Sequence, residues 1–165
     1  MSYENALSKV SPEFQSNLTE IDTFLKSLGQ LKFKRTVDKN SKKVTYTSPD
    51  YGISYAIMVS EANHHFGWYY LYNKEDKIWF RKTDYFEEVL GEIEKSNPQS
   101  AERIFNAINE CTSCKGTPCS ATAYTYNGKK QLACYGRMIL PMSHESFDDA
   151  RLFFQQLNSL VELKI

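Results

Sequence analysis

The sequence predicts an α+β fold: an antiparallel β-meander plus a C-terminal β-hairpin, packed against about four helices. Three observations predict it. Segments with an apolar stripe at helical spacing and segments rich in β-branched and aromatic residues are partly segregated along the chain. Short polar turns divide the first β-type stretch into strands. Asn127-Gly128 divides the second, and this dipeptide suits a two-residue hairpin turn because both central positions need positive φ.

The first ten residues are polar and weakly patterned and are expected to fray. Ser11 is an N-cap candidate with Pro12 at the first helical position. Phe14, Leu18, Ile21, Leu25 and Leu28 then form one stripe. Gly29 is expected to supply the left-handed stop. Segments 30–37 and 42–47 flank Asp38-Lys39-Asn40-Ser41 as a hairpin, and Ser48-Pro49-Asp50-Tyr51-Gly52 makes the next turn. Segments 53–59, 66–73 and 78–81 complete the meander. Asp84 with Glu87 resembles a capping box for a helix carrying Phe86, Val89, Leu90 and Ile93. Asn97 and Pro98 break that helix and start another, with Ile104, Phe105 and Ile108 inward, which is expected to run into Cys111. Segments 120–126 and 129–140 form the hairpin. Ser146 with Asp149 begins a last helix striped by Phe147, Ala150, Phe154, Leu157 and Val161.

The 165 residues fit a single domain, with 97–165 as a candidate metal-stabilised subdomain. Twenty basic and twenty acidic side chains give zero formal charge, which argues against a general polyanion binder. No apolar run approaches the roughly 18 residues of a membrane helix. The start has no secretory signal pattern, so a cytoplasmic location with reduced thiols is expected. Nucleotide-binding, nucleophile-elbow and zinc-protease motifs are absent, and no catalytic residue is assigned.

The cysteines carry the most specific signal. Cys111, Cys114, Cys119 and Cys134 are spaced C-x2-C-x4-C-x14-C. With a two-residue turn at Asn127-Gly128, Tyr126 opposes Lys129, Ala121 opposes Cys134 and Cys119 opposes Gly136. Cys119 and Cys134 then share a face as diagonal neighbours. That face also carries Ala121, Ala123, Leu132 and Met138 and is expected to be buried, with Tyr124, Tyr126, Tyr135 and Arg137 on the other. Four thiolates suit one tetrahedral zinc, structural because no position is left open for water. The alternatives are a thiol redox pair at Cys111 and Cys114, structural disulfides, an iron–sulfur cluster, or four unrelated thiols. A redox pair is expected at a helix N-terminus, whereas this pair is expected at a helix C-terminus.

Tyr55, Phe66, Trp68, Tyr70 and Trp79 belong to an aromatic belt. Phe66, Trp68 and Tyr70 alternate on one strand face. Tyr and Trp offer flat apolar surface with a polar handle, so this face is a candidate site for a small apolar or cationic ligand or a partner peptide. The alternative is that these rings simply pack the sheet against helices. Lys26, Lys32, Lys34, Arg35, Lys39, Lys42 and Lys43 concentrate positive charge around the hairpin 30–47, with Asp38 the one acid among them. Such a hairpin can follow a phosphate backbone, but lysines also keep edge strands from sticking together, and the second reading is favoured. The expected function is a non-catalytic, zinc-stabilised binding domain, with a redox protein or a nucleic-acid or protein-interaction module as alternatives.

Overall fold

A computed structural model of the chain describes residues 2–40, 43–51, 53–58, 65–70, 83–111 and 121–164; for 58, 65–70, 83, 84, 109 and 134–137 it is the backbone that is described. The fold is α+β with an antiparallel sheet. Among the described residues the helices are α1 (Tyr3–Leu7), α2 (Pro12–Ser27), α3 (Thr83–Ser96), α4 (Pro98–Asn106) and α5 (His144–Leu163). The strands are β1 (Lys34–Val37), β2 (Lys43–Ser48), β3 (Ile53–Met58), β4 (His65–Tyr70), β5 (Ile108–Glu110), β6 (Ala121–Tyr126) and β7 (Lys129–Pro141). The expected strand 78–81 lies outside the described residues. No described helix is long and apolar enough to cross a membrane.

The sheet order is β1-β2-β3-β4-β7-β5, with β6 paired to β7. The meander and the hairpin therefore share one sheet, because β7 is long enough to serve both. Its first half pairs with β6 and its second half with β4, from Tyr69↔Arg137 to His65↔Pro141. On one face of the sheet Val44, Tyr46, Tyr55, Ile57 and Met138 are fully buried. Helix α5 lies on it. Phe154 meets Phe33 and Tyr55 edge-on at centroid distances of 5.3 and 5.5 Å. Phe153 continues the aromatic chain to Phe86 of α3 at 5.8 Å, and Phe86 reaches Tyr124 of β6 at 4.2 Å. Tilted and edge-on pairs of this kind let one helix grip both halves of the sheet.

Several local expectations are met. Pro12 opens α2. Asn97 caps α4 by accepting from the Ser100 N–H at 3.1 Å, with Pro98 at the first position. Asn97→Ala is expected to cost about 1 kcal/mol, read as a shift in the urea midpoint with unchanged slope. Asn127 and Gly128 both take positive φ, 49° and 73°.

Three expectations are corrected. Gly29 does not supply a left-handed stop; the positive φ belongs to Lys32, at 47°. The chain turns there because Asn158 Oδ1 accepts from the Gln30 and Leu31 N–H groups at 3.2 and 3.3 Å, so a side chain of α5 satisfies the donors. Helix α4 stops at Asn106, and Ile108–Glu110 joins the sheet as β5, so no helix runs into Cys111. The last helix is capped by Ser143, which accepts from the Ser146 N–H at 3.2 Å; Ser146 lies inside the first turn. The opening residues form α1, with Ala6 and Val10 buried.

Helix α1 is held through Tyr3, next to a buried carboxylate cluster. Asp22 of α2 accepts from Arg35 Nη1 at 2.9 Å, from Lys26 Nζ at 2.7 Å and from the Tyr46 hydroxyl at 2.9 Å. The Arg35 guanidinium lies 4.0 Å from the centre of the Tyr3 ring, and the Tyr3 hydroxyl donates to the Leu18 carbonyl at 3.1 Å. Burial, with the Asp22 charge second, pushes the Tyr3 phenol up to about 12.

Candidate functional site

The cysteine region is built around β7. Tyr126 opposes Lys129, Ala123 opposes Leu132 and Ala121 opposes Cys134, the pairing expected from the Asn-Gly turn. On the other side of β7, Glu110 opposes Ala133, and the Cys111 N–H donates to the Leu132 carbonyl at 2.8 Å. Thr122 also opposes Ala133, so β5 and β6 flank β7 at the same level. Neighbouring strands lie about 4.8 Å apart. The end of β5, the start of β6 and the middle of β7 therefore meet around Cys134. Cys111 is half-buried. Cys114 and Cys119 lie outside the described residues, and Cys134 is placed by its backbone. Among the described residues no three metal-binding side chains come together.

The facing of the hairpin is corrected. Tyr124, Tyr126 and Ala133 are buried, whereas Leu132 is 47% exposed and Ala121 and Ala123 are half-buried. Met138 is nonetheless buried. Both hold because β7 changes parity between them. Against β5, its register slips from Met138↔Ile108 to Ala133↔Glu110: two steps along β5 match five along β7. A bulge switches which side chains face the core, and Cys134 lies in it. The expected C-terminal helix pole beside Cys111 is also absent, since Cys111 follows a strand.

The aromatic belt is placed as follows. Tyr55 is wholly buried between Tyr46, at 6.1 Å, and Phe154, and burial raises its phenol well above the ordinary range. Phe66, Trp68 and Tyr70 occupy β4 positions opposite Ile57, Tyr55 and Ile53, residues of the core face. Trp79 lies outside the described residues. At Tyr55 the face is closed by α5.

Within the basic hairpin, Arg35 and Lys26 both serve Asp22, and Lys9 Nζ donates to the Asn40 carbonyl at 2.5 Å. Strand β1 is one edge of the sheet, with Lys34 and Thr36 exposed. Two of the seven basic residues are thus structural, and a lysine on an open edge fits protection against edge pairing.

A second region was not anticipated. The α3–α4 elbow at Asn97 meets the tip of the β6–β7 hairpin and leaves a cleft of about 220 Å³. Glu94, Glu102, Phe105, Tyr126, Asn127 and Lys129 contribute to its lining. Asn127 Nδ2 donates to Glu94 Oε1 at 3.1 Å. The Phe105 and Tyr126 rings lie 5.4 Å apart. The Tyr126 phenol is raised, by burial first and then by its hydrogen bond to Glu94. The two local signals, Asn97-Pro98 and Asn127-Gly128, are legible in the sequence; their meeting is tertiary. Comparison of the chain with protein-family models, with curated proteins and with solved structures gives no match.

Proposed function

We propose that the chain is a non-catalytic, cytoplasmic binding domain for a small cationic or apolar ligand or a partner peptide, stabilised by one zinc ion held by Cys111, Cys114, Cys119 and Cys134. The observation that carries the metal part is the approach of both flanking strands to the middle of β7: Cys111, one residue past β5, donates to the Leu132 carbonyl two residues before Cys134, and β6, which begins two residues after Cys119, pairs Ala121 with Cys134. Cys111 lies beside β7 near Cys134, which is on β7, and Cys114 and Cys119 fall in the sequence between β5 and β6. Four soft thiolates select a thiophilic ion, and such a site supplies folding energy because its ligands converge only in the folded chain.

Elemental analysis of the native protein with thiol counting tests this. About one zinc per chain and four protected thiols are expected. Cys134→Ser is expected to lose the metal and to speed amide exchange across β5, β6 and the first half of β7, while α2 and β1–β3 keep their protection. A metal-free native protein whose thiols all react, or a Cys134→Ser variant with unchanged exchange, would overturn the metal reading. In that case the redox alternative at Cys111 and Cys114 comes forward, because Cys111 does not sit at the unfavourable pole of a helix dipole.

A further inference from the structure

We propose that the cleft between the α3–α4 elbow and the β6–β7 hairpin tip binds a single guanidinium or alkylammonium group. This rests on the binding part of the reading above and is independent of the metal. The concavity, about 220 Å³, is below the roughly 300–1,000 Å³ typical of pockets for whole drug-sized molecules; it is matched to one side-chain-sized group. Carboxylates from two different helices reach it, Glu94 of α3 and Glu102 of α4. Asn127 at the hairpin tip holds Glu94 in place. The only cationic side chain among the described lining residues is Lys129, and it makes no ion pair with either glutamate among the described residues. A cationic ligand would therefore supply the pairing that no described residue of the chain gives these two carboxylates.

The walls add a second attraction. Tyr126, 9% exposed, lines the cleft against the buried Phe105 ring, and a cation near the Tyr126 ring gains from its quadrupole. Arginine suits this combination better than a compact ammonium, because its planar fork can take two carboxylate oxygens while its flat surface stacks. The same chemistry could come from a partner protein's arginine or from a free amino acid, whose carboxylate Lys129 could meet.

The test is a titration of the ¹⁵N-labelled full chain followed by amide shifts. N-acetyl-argininamide stands for the partner's side chain, free arginine for the amino acid, and N-acetyl-citrullinamide is the neutral control. Saturable shifts at Glu102, Asn127 and Lys129 are expected, with a Kd on the order of 1 mM. The citrulline compound should bind at least tenfold more weakly. Equal binding of the capped and free compounds assigns the site to a partner's side chain; tighter binding of free arginine assigns it to the amino acid. Glu94→Gln with Glu102→Gln is expected to weaken binding at least tenfold with an unchanged melting temperature. Glu102→Gln alone, at an exposed position, gives the same direction if the pair perturbs folding. Shifts that never saturate, or that are the same with citrulline, overturn the proposal. Because metal content is measured separately, this failure is distinguishable from failure of the zinc site.

Discussion

Arg103→Met is expected to destabilise the domain by about 3–5 kcal/mol, the cost of stranding a buried charge. Asp149 of α5 is fully buried. Its two carboxylate oxygens accept from Arg103 Nε at 2.8 Å and Nη2 at 2.7 Å. The same Nη2 reaches Ser100 Oγ at 3.0 Å, so the fork is held in a fixed plane between α4 and α5. The pair is lopsided: the Arg103 side chain is 41% exposed. Asp149→Asn should therefore cost less than Arg103→Met, because the guanidinium can turn to water whereas the carboxylate cannot. Combining Arg103→Met with Asp149→Asn should recover most of the loss, since a neutral amide then replaces the stranded anion. Urea unfolding of the three variants checks this through the midpoint at constant slope. A loss below about 1 kcal/mol for Arg103→Met would mean that water reaches the carboxylate and that α4 and α5 are not locked together here.

That ion pair shows where sequence reading stops. Asp149 looks like a capping partner for Ser146, because Ser-x-x-Asp is a local pattern. Its real partner is forty-six positions earlier in the chain, and no local spacing announces it. Local chemistry was legible where one dipeptide decides the geometry. Asn127-Gly128 fixes the hairpin turn, and the turn fixes every pairing back to Ala121↔Cys134. The buried face was not legible, because it depends on a bulge between Ala133 and Met138 that compensates two strands of unequal span. Period-two reasoning carried through a bulge inverts inside and outside. Gly29 failed for a related reason. The turn after α2 is stabilised from α5 by Asn158, so the residue with left-handed backbone could fall on Lys32 instead. The α4–β5 boundary failed because the inward spacing that includes Ile108 fits a helix and the first residue of a buried strand equally well. The cleft by the elbow was invisible in the same way: both of its corners were read from the sequence, but their juxtaposition is produced by α3 packing on β6.

The second large effect concerns alkaline stability. Three phenols lie deep in the core. Tyr46 is raised by burial and then by Asp22, which accepts its proton at 2.9 Å. Tyr55 is raised by burial alone, and Tyr124 by burial and then by the nearby Glu87 carboxylate. All three move up from an ordinary value of 10.0. Below pH 10 the phenols are neutral in both folded and unfolded chains, and their contribution to stability is fully present. Above it the unfolded chain ionises while the folded chain keeps its protons, so stability falls as pH rises. Each phenol costs about 1.4 kcal/mol per pH unit in this range, and the three together about 4 kcal/mol per unit. Against a total of roughly 5–15 kcal/mol for an ordinary domain, unfolding is expected within a few units above pH 10. The phenolate absorbance of these tyrosines should appear in one cooperative step, coincident with loss of the far-ultraviolet dichroism. Tyr124→Phe sharpens the test. The Tyr124 hydroxyl is buried and has no hydrogen-bond partner among the described residues, so its removal should be nearly neutral at pH 7 and should move the alkaline midpoint upward. Tyr46→Phe should also move the midpoint up, but at a cost near neutrality, because it removes one of the donors to Asp22. Independent titration of all eleven tyrosines close to pH 10, with the dichroism intact, would show these rings open to water and would contradict the aromatic core through which α5 joins the meander to the hairpin.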